Sequence, residues 1–168
     1  IQTKLQNALD AARTMATAFA ASKTSQSPLA IGREQVNAVL LSVLKDNPEF
    51  NGTYSCWEPE ALDGQDMAFR NTPDGSNPLT GRFTPYWTRS ADGHVAVQPL
   101  VEYDSPDRHP NGVLKGGWYS GPRSTLKESV LDPIPYVVQG KNVWLTTLSV
   151  PIVANGKFYG VVGADFDI

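Results

Sequence analysis

The sequence predicts an α+β fold in which a long N-terminal helix packs on a five-stranded antiparallel sheet. Apolar residues recur with a helical period over the first 45 residues, the period changes to two after residue 50, and Asp-Gly and Asn-Gly pairs separate late apolar runs. Helices followed by a run of strands are typical of the α+β class. The elements are taken below in chain order.

The first predicted element is an amphipathic helix of about twenty residues. Its apolar positions recur at alternating steps of four and three, at Ile1, Leu5, Ala8, Ala12, Met15 and Phe19. Such a stripe suits a helix that packs on its own domain, and it also meets the requirement of a seam between two helices. Both uses can hold at different heights along the helix, so we also expect a homodimer through it.

The remaining elements follow from changes of period and from turn residues. A second helix is predicted over residues 33–45, and Asn47-Pro48 ends it. Residues 50–58 are rich in strand formers, and the turn-rich stretch 61–80 predicts a long surface loop of the kind that closes over a site. Two hairpins complete the sheet, 83–89 with 94–100 and 143–153 with 158–168.

The composition excludes several classes of protein. A chain of 168 residues suits one domain, and its net charge of −3 gives no basic surface for nucleic acid. Cys56 is the single cysteine, so we interpret it as a small buried hydrophobe. His94 and His109 have no second ligand at a useful spacing, so no metal is predicted. Because no nucleophile, base and orienting group occur together, we predict neither an enzyme nor a cofactor.

Motifs along nearly the whole chain resemble one family. After the two helices, the chain carries P-Y-W-x-R, G-W-Y, P-Y, T-T-L-S-V-P-I and N-G-K-F-x-G-V-x-G-x-D in that order. It is similar to the extracytoplasmic Cache sensor domains of bacterial methyl-accepting chemotaxis receptors. The resemblance implies a PAS-like sheet, a ligand pocket on the sheet face away from the long helix, and a periplasmic location as a fragment of an inner-membrane receptor. Residues 1–168 are then one domain, with helices in 1–47 and the sheet and pocket loops in 48–168.

The resemblance also bears on the ligand. Amino-acid-binding double Cache domains carry an arginine before a Trp-Tyr pair, an acid after a Pro-Tyr pair, and a later aspartate. Trp118-Tyr119, Pro135-Tyr136 and Asp165 match, whereas Gly116 replaces the arginine and Val138 replaces the first acid. The arginine and the first acid of this implied amino-acid clamp are absent. We therefore expect a small organic acid such as acetate or propionate, as in single Cache sensors. An amino-acid or amine sensor of a chemoreceptor or sensor kinase, and a carbohydrate- or solute-binding module, are the alternatives.

The candidate ligand-binding residues are phenols, an indole, a cation and an acid, namely Tyr86, Tyr103, Trp118, Tyr119, Arg123, Tyr136 and Asp165. Trp118 and Tyr119 are predicted at a strand end, so that at least one ring faces the cavity, with Tyr119 preferred and core packing as the alternative for Trp118. Arg123 is expected in the first turn of a short helix, where it would hold the carboxylate. The other candidate cations are Arg89, Lys115 and Lys127. For Asp165, a role in securing the backbone is favoured.

Overall fold

The computed structural model describes residues 2–24 and 28–168. Three α-helices lie in these ranges: α1 spans Gln2–Ala20, α2 spans Arg33–Asp46 and α3 spans Gly117–Thr125. The first two confirm the predicted helices, although Ile1 of the predicted stripe lies outside the described residues. None of the helices in these ranges combines the length and the apolar character needed to cross a membrane.

Within the described part of the chain, seven strands form one antiparallel sheet, with β1 at Gly52–Trp57, β2 at Pro85–Arg89, β3 at Val95–Pro99, β4 at Ser129–Val130, β5 at Ile134–Val138, β6 at Lys141–Ala154 and β7 at Lys157–Asp167. The strand order is β3-β2-β1-β7-β6-β4, and β5 also pairs with β6. The five predicted strands are present, but the predicted count of five is too low. The two missed strands are short or interrupted by Pro135, and proline weakens the strand signal.

The two faces of the sheet carry different partners. On one face α1 packs against β6 and β7, and α2 packs against β1 and β2. The apolar stripe of α1 is buried there, at Ala8, Ala12, Met15 and Phe19. The domain's own sheet thus covers most of this stripe, as expected for a helix that packs on its own domain. A homodimer through this helix remains a prediction.

The long loop after β1 is fastened beside α2. Arg33 of α2 is buried and pairs with Asp66 through Nη2 at 2.7 Å and with Asp63 through Nε at 2.9 Å. Its Nη1 also donates to the carbonyl oxygen of Gly81 at 2.6 Å. The prediction that this loop closes over a site is wrong, because Arg33 holds it on the helix side of the sheet.

Aromatic residues dominate the opposite face of the sheet. Alternation along β1 turns Tyr54 and Cys56 to this face and Trp57 to the helix face. Cys56 is buried, as the sequence predicted. α3 and β5 cover the face, and they enclose a cluster that contains Tyr86, Trp118 and Tyr136. The candidate site lies within this cluster.

Candidate functional site

Four aromatic rings form a closed cycle on this face, and we call them the aromatic box: Tyr54, Tyr86, Tyr136 and Trp118. Neighbouring ring centroids are 5.8 Å apart for Tyr54 and Tyr86, 5.7 Å for Tyr86 and Tyr136, 6.5 Å for Tyr136 and Trp118, and 5.4 Å for Trp118 and Tyr54. The interplanar angles lie between 75° and 88°, so each ring meets its neighbours edge to face. Edge-to-face contacts fix the orientation of each ring.

The box surrounds a small cavity of about 20 Å³. Its walls are the four rings together with Leu100, Ile134, Leu145, Thr147 and Asp165. A space of this size holds about one water molecule, whereas ligand pockets are commonly several hundred Å³. The box is therefore closed in this structure, and a ligand requires its rings to separate.

One carboxylate lies in the cavity wall. Asp165 of β7 is 2% exposed, and it accepts hydrogen bonds from Tyr86 Oη at 2.7 Å and from Asn51 Nδ2 at 3.1 Å. In the described part of the chain, no lysine, arginine or histidine lines the cavity. Asp165 is thus a buried acid whose partners are neutral groups.

The surroundings of Asp165 tune its ionisation. Burial raises the pKa of this carboxyl to about 7, and the hydrogen bonds from Tyr86 and Asn51 oppose that rise. Burial also raises the pKa values of the Tyr54, Tyr86 and Tyr136 phenols, so these rings stay neutral. Negative charge inside the box therefore comes from Asp165.

The polar atoms of the box differ in how they are satisfied. Tyr136 Oη is engaged with the backbone of Val101, accepting from N at 2.7 Å and donating to O at 2.8 Å. Tyr54 Oη is 2.7 Å from Thr147 Oγ1. The buried Trp118 Nε1, by contrast, has no hydrogen-bond partner among the described residues. The N–H of this indole thus has no acceptor in the described part of the chain.

Two of the predicted tyrosines lie outside the box. Trp118 and Tyr119 stand in α3, not at a strand end, so the predicted preference for Tyr119 as the cavity residue is wrong. Tyr119 hydrogen-bonds to Glu58 and accepts from Arg82 Nη2 at 2.8 Å. Tyr103 accepts from Asn77 and does not line the cavity either. Adjacent side chains point to opposite faces in a strand but not in a helix, so the prediction made for a strand does not hold for Trp118 and Tyr119.

The predicted cations are also elsewhere. Arg123 lies in the last turn of α3, not the first, and it is exposed, with Nε 3.6 Å from Glu58 Oε1. Arg89 donates to backbone carbonyls at the end of α2, including that of Leu44 at 2.8 Å. Lys115 is 4.0 Å from Glu102, and neither it nor Lys127 lines the cavity. The expectation of a cation in the pocket is therefore wrong for all four residues.

Sequence reasoning missed three residues that matter here. Tyr54 and Thr147 line the cavity, and Asn51 donates to Asp165 from behind it. For Tyr54 the available signal was strand alternation, because it places Tyr54 on the same buried face of β1 as Cys56. Of the predicted residues, the structure brings Tyr86, Trp118, Tyr136 and Asp165 together.

A larger groove lies next to the box at the end of the sheet. It has a volume of about 550 Å³ and is open to solvent. The loop before β1, the β2–β3 turn, the β5–β6 turn and Asp167 form its walls. Asn51 belongs to this groove and also contacts Asp165. The amide of Asn51 therefore separates the carboxylate from the groove.

The chain matches one family model and several known proteins. Residues 36–168 match the model described as methyl-accepting chemotaxis protein-like, first PDC sensor domain. The chain is 33% identical over 138 residues to the methyl-accepting chemotaxis protein TlpQ of Pseudomonas aeruginosa, covering 81% of this chain and 19% of that protein. The chain thus spans about a fifth of that relative.

Solved structures extend the comparison. The extracellular domain of mmHK1S-Z3 is 30% identical to this chain with a TM-score of 0.80, and the match covers 98% of this chain and 52% of that one. Methyl-accepting chemotaxis protein X is 24% identical with a TM-score of 0.76 and matches 95% of this chain and 54% of its own. The chain spans about half of each of these structures.

Proposed function

This chain belongs to the family of methyl-accepting chemotaxis protein-like first PDC sensor domains, and from that premise we propose that it senses small organic cations for a transmembrane receptor. The family resemblance seen in the sequence is confirmed, and so are the extracytoplasmic location and the absence of enzymatic activity, since the relatives are sensor domains. The preference for the single Cache form finds no support in these matches. We treat residues 1–168 as one Cache-type domain.

The aromatic box with one buried carboxylate is the observation that carries the proposal. The faces of aromatic rings attract cations, and cages of such rings bind quaternary ammonium groups. Asp165 adds an anion that has no cationic partner among the described residues lining the cavity. A buried charge without a counter-charge is costly. A positively charged ligand would remove that cost.

The same lining argues against the small organic acid expected from the sequence. A carboxylate ligand would meet Asp165 at short range, and like charges in a buried site repel strongly. Arg123, the cation assigned to hold it, is exposed and lies beside Glu58. Acetate or propionate is therefore the less favoured ligand class.

An amino acid is the second candidate, and Trp118 supports it. The unpartnered Nε1 of this buried indole suits an acceptor oxygen on the ligand while Asp165 takes the amine. The arginine of the implied amino-acid clamp has no room here, because a Cβ at Gly116 would lie 2.7 Å from the carbonyl oxygen of Glu102. The carboxylate of an amino-acid ligand would thus lack a cationic partner. The site therefore suits an organic cation that carries a neutral hydrogen-bond acceptor better.

The carbohydrate-binding alternative requires exposed rings that form a platform for stacking. Trp118 and Tyr136 are 2% and 5% exposed, respectively. Rings buried to this degree form an enclosure, which suits a compact ligand better than a sugar chain.

A thermal-shift panel tests the proposal. It compares quaternary ammonium ions and alkylamines with amino acids, neutral sugars, acetate and propionate, because a ligand that binds the folded state raises its melting temperature. We expect the cations to raise it most. A rise with acetate or propionate and none with any cation would overturn the proposal, and a rise with amino acids alone would select the second candidate.

A further inference from the structure

Asn51 is held rigidly between the groove and the aromatic box. Its backbone N–H donates to the carbonyl oxygen of Asp165 at 2.8 Å, and its own carbonyl accepts from Arg89 N at 2.8 Å. The residue is 8% exposed. These two bonds fix the backbone of Asn51, and from it the side-chain amide donates to Asp165 Oδ1 through Nδ2 at 3.1 Å.

The amide nitrogen of Asn51 serves two acceptors in the site. Nδ2 is 3.1 Å from Asp165 Oδ1 and 3.2 Å from Tyr86 Oη, while Tyr86 Oη donates to Asp165 Oδ2 at 2.7 Å. Both oxygens of the carboxylate therefore have a neutral donor. Such donors favour the ionised form of an acid without neutralising its charge.

The other described side chains around Asp165 do not donate hydrogen bonds to its carboxylate. On its own strand Asp167 disfavours the ionised form, and on β1 the Gly52 backbone favours it. The phenol of Tyr54 on β1 and Thr147 on β6 bond to each other. On β5, the Tyr136 hydroxyl is engaged with Val101. The side-chain donors to the carboxylate in the described ranges are thus Asn51 and Tyr86.

We propose that Asn51 is a positioning residue that sets how much of Asp165 is ionised near neutral pH, and so sets the pH range in which the domain binds an organic cation. The inference rests on the proposed function. Asn51 acts through Asp165 and does not line the cavity itself. Its amide also keeps the carboxylate apart from the solvent of the groove, which maintains the burial that makes the hydrogen bond effective.

Calorimetric titration of choline between pH 5.5 and 9.5 tests this role in the wild type and in Asn51→Leu. The wild type should bind more tightly as pH rises, with a midpoint near neutral. Loss of one hydrogen bond to a charged group should raise that midpoint by about one pH unit. The variant should then bind about tenfold more weakly at pH 6 and nearly as tightly as the wild type at pH 9.5.

Asn37→Leu is the matched control. Asn37 donates to the carbonyl of Asp74 and accepts from Trp87 Nε1 on the helix side of the sheet, so its loss should leave the midpoint unchanged. If Asn51→Leu does not fold, as judged by circular dichroism, the smaller Asn51→Val serves in its place. A uniform loss of affinity at every pH, or an unchanged midpoint, would overturn the inference. Failure of the wild type to bind any organic cation would overturn the proposed function as well.

Discussion

Gly163 lies directly across the β1–β7 ladder from Tyr54, and the phenol ring of Tyr54 covers its Cα. A Cβ at Gly163 would be 2.0 Å from Tyr54 Cζ. Gly52 lies across from Thr88 on β2, and a Cβ at Gly52 would be 2.5 Å from Cε1 of the Tyr86 ring. Two glycines thus let two rings of the box pack closely against the backbone of the sheet.

Replacing Gly163 by alanine should displace the Tyr54 ring and break the box. We expect a loss of about 1–3 kcal/mol of unfolding free energy from overpacking, together with loss of cation binding. Chemical denaturation and calorimetry measure the two effects. Gly121→Ala in α3 is the control, because the nearest atom to its Cβ is Ser129 Oγ at 4.0 Å, and alanine favours a helix. Equal behaviour of the two variants would refute the packing argument.

Asp165 should make the stability of the ligand-free domain fall as pH rises. Its pKa is raised from 3.8 to about 7, so the folded state binds more protons than the unfolded state between these values. The free energy of unfolding should therefore decrease through this window, by on the order of a few kcal/mol. In Asp165→Asn this contribution disappears, and organic-cation binding should weaken at least about 30-fold. The difference in unfolding free energy between the wild type and Asp165→Asn should therefore depend on pH. A difference that does not change with pH would contradict the raised pKa of Asp165.

Arg123→Ala should leave ligand binding within about twofold of the wild type, because its guanidinium faces Glu58 and not the cavity. Tyr119→Phe should likewise preserve binding, since the Tyr119 hydroxyl contacts Glu58 and Arg82. Titration of both variants with the best ligand of the thermal-shift panel measures this. A loss of tenfold or more in either variant would return that residue to the binding site.

Arg33→Ala should destabilise the domain by about 3–5 kcal/mol, because it leaves the buried carboxylate of Asp66 and the partly buried one of Asp63 without their cation. Ligand affinity of the folded fraction should persist, since Arg33 lies on the opposite side of the sheet from the box. Urea denaturation provides the free energy. Arg13→Ala is the control, because the Arg13–Glu128 pair is largely exposed and its loss should leave the denaturation midpoint almost unchanged. Equal stability of the two variants would contradict the anchoring role of Arg33.

The regular elements were predictable because their signals are local. The α1 stripe, the end of α2 before Pro48, and the two hairpin turns each depend on neighbours in sequence. Strand alternation along β2 is a local signal of the same kind, and it turns Tyr86 and Trp87 to opposite faces of the sheet. β4 and β5 were missed because their strand identity comes from pairing with β6, which a short, proline-containing segment does not reveal.

The composition of the box was less accessible from sequence. Trp118 and Tyr119 sit in a short helix that carries Pro122, and its strand-like aromatics concealed it. Asn51 and Asp165 are 114 positions apart and meet through the β1–β7 pairing. Arg123, Lys115 and Arg89 are engaged by Glu58, Glu102 and backbone carbonyls, respectively, contacts that depend on tertiary structure. Residue types indicated a polar aromatic site, whereas the proposal of a positively charged ligand depends on how these residues are arranged around Asp165.

Paired titration calorimetry with choline and its neutral carbon analogue 3,3-dimethylbutan-1-ol, at pH 8.5, tests the central claim most directly. The two molecules have nearly the same shape and differ in charge. The account predicts that choline binds at least about 100-fold more tightly, because the rings and Asp165 both favour the positive charge. Equal affinity for the two molecules, or binding of acetate without binding of choline, would contradict it.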